Sequence, residues 1–310
     1  MKTLAWIVIC ALNAGCVLAS PPASKFTMRV VDAETGLPVT NAEIRVTFTE
    51  QADPWGTGVG KSDRQKTKVD KEGAATFKGN SAYPGCGGSV FADGYYSDGG
   101  GMNYQKKNSV LNRWEPWNPT IEVKMRKIKN PVPMVYEWIQ RESIPVWEKP
   151  AGFDLQAGDW VSPHGDGAVA DFVFTATRVT EPKEGVRYSL TFSNPLDGLQ
   201  EYVPPEDIRS SYIFPYLAPT NKYVPTFNRY RLLKYPELSD YPANNLKADG
   251  EISYIFRVRT KTGRDGNIIS ANYGRIQGEV SMSLEGRIYF QYWFNPEPNN
   301  RSLESDKKPY

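Results

Sequence analysis

Between Lys25 and Met125 apolar and polar residues alternate in short runs. Phe26, Met28 and Val30 fall on one side of a period of two, and Thr27 and Arg29 fall on the other. Ile44, Val46 and Phe48 repeat the pattern. The segment between them, Asp32 to Pro38 (DAETGLP), has the composition of a turn, with Gly36 available for a positive φ. Asp70-Lys71-Glu72-Gly73 reads as a tight turn between Thr67–Val69 and Ala75–Phe77. Ser89 to Ala92 and Ile121 to Met125 add further strands. Short strands separated by turn signals predict a β-sandwich over about residues 25 to 128.

The pattern resumes after Asn130-Pro131-Val132-Pro133, whose X-Pro pairs favour extended backbone and read as a linker over residues 129 to 133. Residues 134 to 298 form a second β-rich domain. Met134 to Glu142 fits one helical turn or a strand. Asp171–Thr177 and Tyr188–Phe192 look like a strand pair joined by a Pro182–Gly185 turn. Pro204-Pro205-Glu206-Asp207 has the proline and acids of a first helical turn. Ile252–Thr260 and Ile268–Tyr273 flank a hairpin signal at Gly263 to Gly266. Gly278–Leu284 and Arg287–Phe294 make another hairpin around Glu285-Gly286. Residues 299 to 310 are a polar tail whose end frays. The expected fold is all-β: a sandwich, then a second β-rich domain with few short helices.

The first residues change the setting. Met1 and Lys2 precede an apolar run, Leu4 to Leu12, that is too short to span a bilayer as a stable helix. Residues 1 to 19 therefore read as an export signal. Val17-Leu18-Ala19 fits cleavage before Ser20, which makes the product periplasmic or secreted. A second reading lipidates Cys16, which follows Ala14 and Gly15, although Asn13 stands where a lipobox usually has leucine. Cleavage after Ala19 leaves Cys86 as the one cysteine, so no internal disulfide forms and hydrophobic cores must hold the fold. Cys86 lies in Pro84-Gly85-Cys86-Gly87-Gly88 and is expected in a glycine turn.

The formal net charge of +2 gives no general pull toward nucleic acid or an anionic surface. No second apolar stretch of spanning length follows the signal, so no transmembrane segment is expected after it. The 26 glycines and 24 prolines, with 13% aromatic residues, suit a turn-rich β protein better than a helical one.

Candidate chemistry is sparse. His164 is the single histidine, and its surroundings (Ser162-Pro163-His164-Gly165-Asp166-Gly167) are those of a turn. One histidine and one mature cysteine far apart do not make a zinc ligand set. No nucleophile-elbow motif accompanies the histidine, and no phosphate-binding glycine loop precedes a helix. The acids from Asp154 to Asp171 offer oxygen ligands without EF-hand spacing. No catalytic residue, metal site or cofactor is assigned. The functional candidate is the stretch Gly94 to Pro119, long for a sandwich loop, which carries Tyr95, Tyr96, Tyr104, Trp114 and Trp117. Such rings pack on sugar faces or anchor protein interfaces, so a glycan or a protein partner fits them. They equally suit packing at a seam between the two domains.

VVDAETGLPVTNAEIRVT, then TKVDKEGAATFKG, then VFADGYYS, resembles the carboxypeptidase regulatory-like and transthyretin-like group, which includes Cna B-type domains. The resemblance spans the first third of the chain. It implies a sandwich that serves as an accessory, binding or spacer module. Pilus-type members carry a lysine near the end of the first strand for an isopeptide bond. Val30 stands at that position, which implies no such cross-link. Asn272–Gly278 (NYGRIQG) and Asn295–Glu304 (NPEPNNRSLE) are similar to the tails of exported bacterial proteins with no assigned activity. The sequence thus points to an exported, non-enzymatic binding or structural protein. A secreted, glycan-directed hydrolase with its site in the second domain, and an adhesin-like or envelope-assembly component, are the alternatives.

Overall fold

The computed structural model describes residues 20–51, 60–140, 142–181, 184–205, 209–233, 245–246 and 252–307. The export signal, with Cys16 and the Ser20 cleavage point's upstream residues, lies outside them. Among the described residues the regular structure is all strand, and they divide into two compact units between Arg126 and Lys127.

In the first unit β1 (Ala23–Asp32) lies between β4 (Ala74–Asn80), antiparallel, and β9 (Thr120–Met125), parallel. The hairpin of β7 (Lys106–Asn108) and β8 (Arg113–Glu115) joins this sheet at Ala23. A second sheet runs β3 (Lys61–Lys68), β2 (Glu43–Gln51), β5 (Gly85–Phe91), β6 (Asp98–Asn103). The alternating apolar residues of both sheets meet in one core. Phe26, Met28, Val30 and Phe77 come from one side, and Ile44, Val46, Phe48 and Val90 from the other. A phenylalanine in such a core is worth ~3–5 kcal/mol against alanine. The first unit is therefore two sheets packed face to face.

The turns behave as their residues dictate. Asp32 Oδ1 accepts the amides of Glu34 and Thr35, and Gly36 takes φ +69°. Asp70 Oδ1 accepts the amides of Glu72 and Ala74. Gly73 has φ +73°, and a Cβ there would stand 2.5 Å from the Val30 carbonyl oxygen, so only glycine fits.

The stretch Gly94 to Pro119 departs from the loop expectation. It holds β6, β7 and β8. Gly99-Gly100-Gly101 is strand because the sheets approach closely there. A Cβ on Gly100 would lie 2.7 Å from a Val123 methyl, and one on Gly87 would lie 2.1 Å from the Gly100 carbonyl oxygen. Cys86 likewise sits within β5, half-buried, rather than in a turn.

The second unit also has two sheets around one core. One runs β12 (Asp159–Trp160), β11 (Ala151–Asp154), β13 (Phe172–Val179), β14 (Gly185–Thr191), β16 (Thr226–Leu232). The other runs β10 (Val135–Ile139), β19 (Ile288–Asn295), β18 (Ile268–Met282), β17 (Ser253–Thr262), β15 (Gly198–Tyr202). Phe172, Phe174 and Leu190 face Phe256, Ile276, Phe290 and Phe294 across the core. Met134 to Glu142 contributes a strand rather than a helical turn. Pro204 and Pro205 are non-helical, and Glu206 and Asp207 lie outside the described residues.

The β10-to-β15 sheet is buried on its core face and, around Trp293 and Arg275, on its outer face as well. Tyr136, Trp293, Arg275, Ile255 and Gln200 form one row across its outer face. Trp293 is 0% and Arg275 5% exposed. The Arg275 guanidinium lies 3.7 Å from the Trp293 ring centroid and 4.8 Å from that of Phe214, and donates to the Leu303 carbonyl at 2.9 Å. Val132 and Met134 pack on Trp293. Arg257 donates to the carbonyls of Leu196 and Thr220, and Arg301 donates to that of Ala218. Buried arginines thus pin irregular segments over the sheet and satisfy carbonyls that no strand pairs.

The two C-terminal sequence signatures belong to this device. A Cβ on Gly274 would meet the Phe256 ring at 2.1 Å, and Gly278 has φ +79° beside the β18 bulge. Asn295 donates to the carbonyls of Asn300 and Ser302 and accepts the Glu297 amide. Glu304, 1% exposed, accepts the amides of Lys129 and Asn130. Those bonds hold residues 129 to 133 against the second unit as extended chain.

Candidate functional site

The five rings singled out in the sequence do not form one surface. Tyr95 is half-buried beside the first core and donates its hydroxyl to Asp32 Oδ2 at 3.0 Å, at the C-terminal end of β1. The Tyr96 amide donates to the Arg126 carbonyl. Tyr104 is 4% exposed and lies at the opposite end of β1. Its hydroxyl donates to the Lys25 carbonyl at 2.8 Å and is 2.9 Å from Ser24 Oγ. Burial pushes the Tyr104 phenol up to about 12. Trp114 stacks on Tyr104 with rings 8° apart and donates its indole N–H to the Ser81 carbonyl at 2.9 Å. Trp117 is half-buried under the Arg113 guanidinium, 5.0 Å from its ring centroid. The polar edges of Tyr95, Tyr104 and Trp114 are thus engaged inside their own unit. The five residues divide between the two ends of a ten-residue strand.

The acids from Asp154 to Asp171 are also engaged. Arg259 donates Nε to Asp171 Oδ1 at 2.8 Å, and its terminal nitrogens reach Asp171 Oδ2, Asp154 Oδ1 and Gln156 Oε1. Asp154 further accepts the amides of Gln156, Ala157, Ala168 and Val169. Burial acts to raise the Asp154 carboxyl, but these amides outweigh it and hold it below the usual range. Burial raises Asp171, with Arg259 opposing. The guanidinium occupies the place a cation would take. Among the described residues no cluster of three or more histidine, cysteine, aspartate or glutamate side chains is arranged to hold a metal. His164 is exposed, and its amide donates to the Val161 carbonyl within the turn.

A groove of about 360 Å³ lies instead on the outer face of the β13-β14-β16 sheet. Cross-strand register builds it in two rows. Thr175, Ser189 and Asn228 stand side by side, and Thr177, Arg187 and Tyr230 form the next row. Alternation sends these side chains outward while Phe174, Ala176, Tyr188 and Leu190 enter the core. Asn245 closes one edge. Its Oδ1 accepts the Tyr230 amide at 2.8 Å and its Nδ2 donates to the Asn228 carbonyl, so it completes the edge of β16. Tyr188 and Arg229 also line it, but their polar ends are bonded to Val280, Tyr254 and Glu279 on the core side. The outward side chains offer hydroxyls, two amides, a phenol and one guanidinium, and among the described residues no carboxylate. It can hydrogen-bond a ligand through both donors and acceptors.

Under the groove's strands, between the two sheets, Arg229 donates to Tyr254 Oη at 2.9 Å and to Glu279 Oε2 at 3.3 Å. Tyr254 donates to Glu279 Oε1 at 2.6 Å. This network fixes β16 to β17 and β18, and so makes the groove floor rigid.

The groove residues are not marked in the sequence by any motif. Their one trace is a polar member at alternate positions, T-x-T, R-x-S and N-x-Y, in three separate segments. Only the register joins them.

No family model matches the chain, and no curated protein is similar to it. A solved structure of a DUF3823 family protein from Parabacteroides merdae ATCC 43184 is similar at 9% identity, over 89% of this chain and 97% of that one, with a TM-score of 0.22. A superposition that loose carries no weight for fold or function.

Proposed function

We propose that the protein is an exported, non-catalytic binding protein that takes a hydroxyl-rich ligand, a short glycan, in the groove of its second unit. The observation that carries this reading is the lining itself. Thr175, Thr177, Ser189, Asn228 and Asn245 supply neutral donors and acceptors at sugar-hydroxyl spacing across neighbouring strands, ~4.8 Å apart. Tyr230 adds a ring face, and Arg187 a forked cation suited to a uronic or other acidic sugar. The volume matches a small-ligand site.

The hydrolase alternative needs two carboxylates facing a substrate. Asp154 and Asp171 are tied to Arg259, and Glu279 to Tyr254 and Arg229, so these three acids, whose side chains are buried, serve the fold and do not face the groove. The first unit then serves as the spacer or accessory module that its resemblance to the carboxypeptidase regulatory-like group implies. Export rests on residues 1 to 19, and the amino terminus of the exported chain checks it: Ser20 supports soluble export, a lipidated Cys16 an anchored form, and an intact Met1 neither. Binding is tested on panels of neutral and acidic oligosaccharides, with Arg187→Ala and Tyr230→Ala as the variants.

A further inference from the structure

The β7–β8 hairpin ends in two apolar residues that the fold does not bury. Val110 is 93% and Leu111 55% exposed. They are held outward by local chemistry. Asn108 Oδ1 accepts the amides of both Val110 and Leu111 at 3.1 Å, and Asn112 closes the turn with φ +43°. The tip backbone is therefore satisfied and shaped without any packing of its side chains.

Charge surrounds the tip. Lys106 and Lys107 are exposed on the outgoing strand, and Arg113 begins the return. The carboxylate among them is Glu115, 2.8 Å from Arg113. Three cations against one acid leave the hairpin positive. Trp114 and Trp117 follow on the return side, half-buried, and are engaged within the unit.

The first described residue lies against the same turn: Asn112 Nδ2 donates to the Ser20 carbonyl at 3.0 Å, and the Ala23 amide donates to the Asn112 carbonyl at 2.8 Å.

We propose that the Lys106–Glu115 hairpin is a contact for an anionic lipid surface. Val110 and Leu111 enter the interface, and Lys106, Lys107 and Arg113 meet headgroup phosphates. This is separate from the groove, and either can fail alone.

The test is co-sedimentation of the chain from Ser20 onward, which keeps every described residue, with vesicles of phosphatidylcholine alone or mixed with phosphatidylglycerol. Binding is expected to the anionic vesicles and to fall as salt rises. Val110→Asp with Leu111→Asp should abolish it. Lys106→Gln with Lys107→Gln should weaken partitioning roughly tenfold or more. Melting temperatures should not move, since the altered side chains are exposed. No binding to anionic vesicles overturns the proposal, as does binding that both double variants retain. Equal binding to neutral vesicles removes the headgroup part of it.

Discussion

The two units use charge in opposite ways. In the first, most charged side chains stand on outer faces and pair in solvent, as Arg45 and Lys66 do with Glu43, while Asp32 and Asp98 are buried and no arginine is. Exposed pairs of that kind contribute ~0–1 kcal/mol. In the second, Arg229, Arg257, Arg259 and Arg275 are wholly or largely buried, and each holds carbonyls or carboxylates. The difference follows from coverage. The first unit leaves its outer faces to water. The second lays irregular chain over one sheet and must satisfy that chain's polar groups from below. Among the described residues its other sheet keeps an open polar face, and there the groove lies.

The sharpest way to break this comparison is to remove an arginine from each unit. Arg259→Met strands Asp171, whose side chain is fully buried, and Asp154. A loss of ~3–5 kcal/mol is expected, confined to the second unit. Arg45→Ala should change stability by less than ~1 kcal/mol. Chemical denaturation of both variants decides. Similar small losses would show that the buried cluster does not hold the second unit together.

Trp114 against Trp117 sharpens it inside the first unit. Trp114→Ala removes the stack on Tyr104 and the bond to Ser81, and should destabilise by ~2–3 kcal/mol. Trp117→Ala loses mainly the Arg113 contact, ~1 kcal/mol or less. Equal melting temperatures for the two would contradict the assignment of Trp114 to the fold.

Alkaline pH separates the units more gently. Burial raises Tyr104 to about 12 in the first unit, and raises Tyr188, Tyr223, Tyr254 and Tyr292 further in the second. Each folded value lies above the unfolded value of ~10. The stability these phenols contribute is therefore complete below pH ~10 and is lost as pH rises through the folded values. With more such groups among its described residues, the second unit should open first. Hydrogen exchange followed by unit, together with tyrosinate absorbance, reads the order. The first unit opening first would reverse the reading.

The same contrast explains what was legible in the sequence. Phe26, Met28 and Val30 alternate cleanly because water covers the other face of their sheet. The hairpins at Gly263–Gly266 and Glu285-Gly286 carry their own turn residues. β17 gave up its strand but not its setting, because Arg257 and Arg259 look like surface residues until the covering loops are known. β16 carries no turn signal of its own, and the Asn194-Pro195 and Asp197-Gly198 signals before β15 are followed by no clean alternation that would mark a strand. The glycines of β6 read as loop because their reason, contact with Val123 and Ile121, lies in another strand. The aromatic residues were visible, but their partners Ser81, Ser24 and Asp32 were not. The groove was illegible because three polar alternations become one surface only through register.

The central claim is that the groove binds a hydroxyl-rich ligand. Its most direct test is calorimetric titration of the oligosaccharide that the panel identifies, against the parent chain and Arg187→Ala, Tyr230→Ala and Trp117→Ala. The account predicts that each groove variant loses ~2 kcal/mol or more of binding with its melting temperature unchanged, and that Trp117→Ala binds as the parent does. Binding that survives both groove variants, or that Trp117→Ala abolishes, would contradict it.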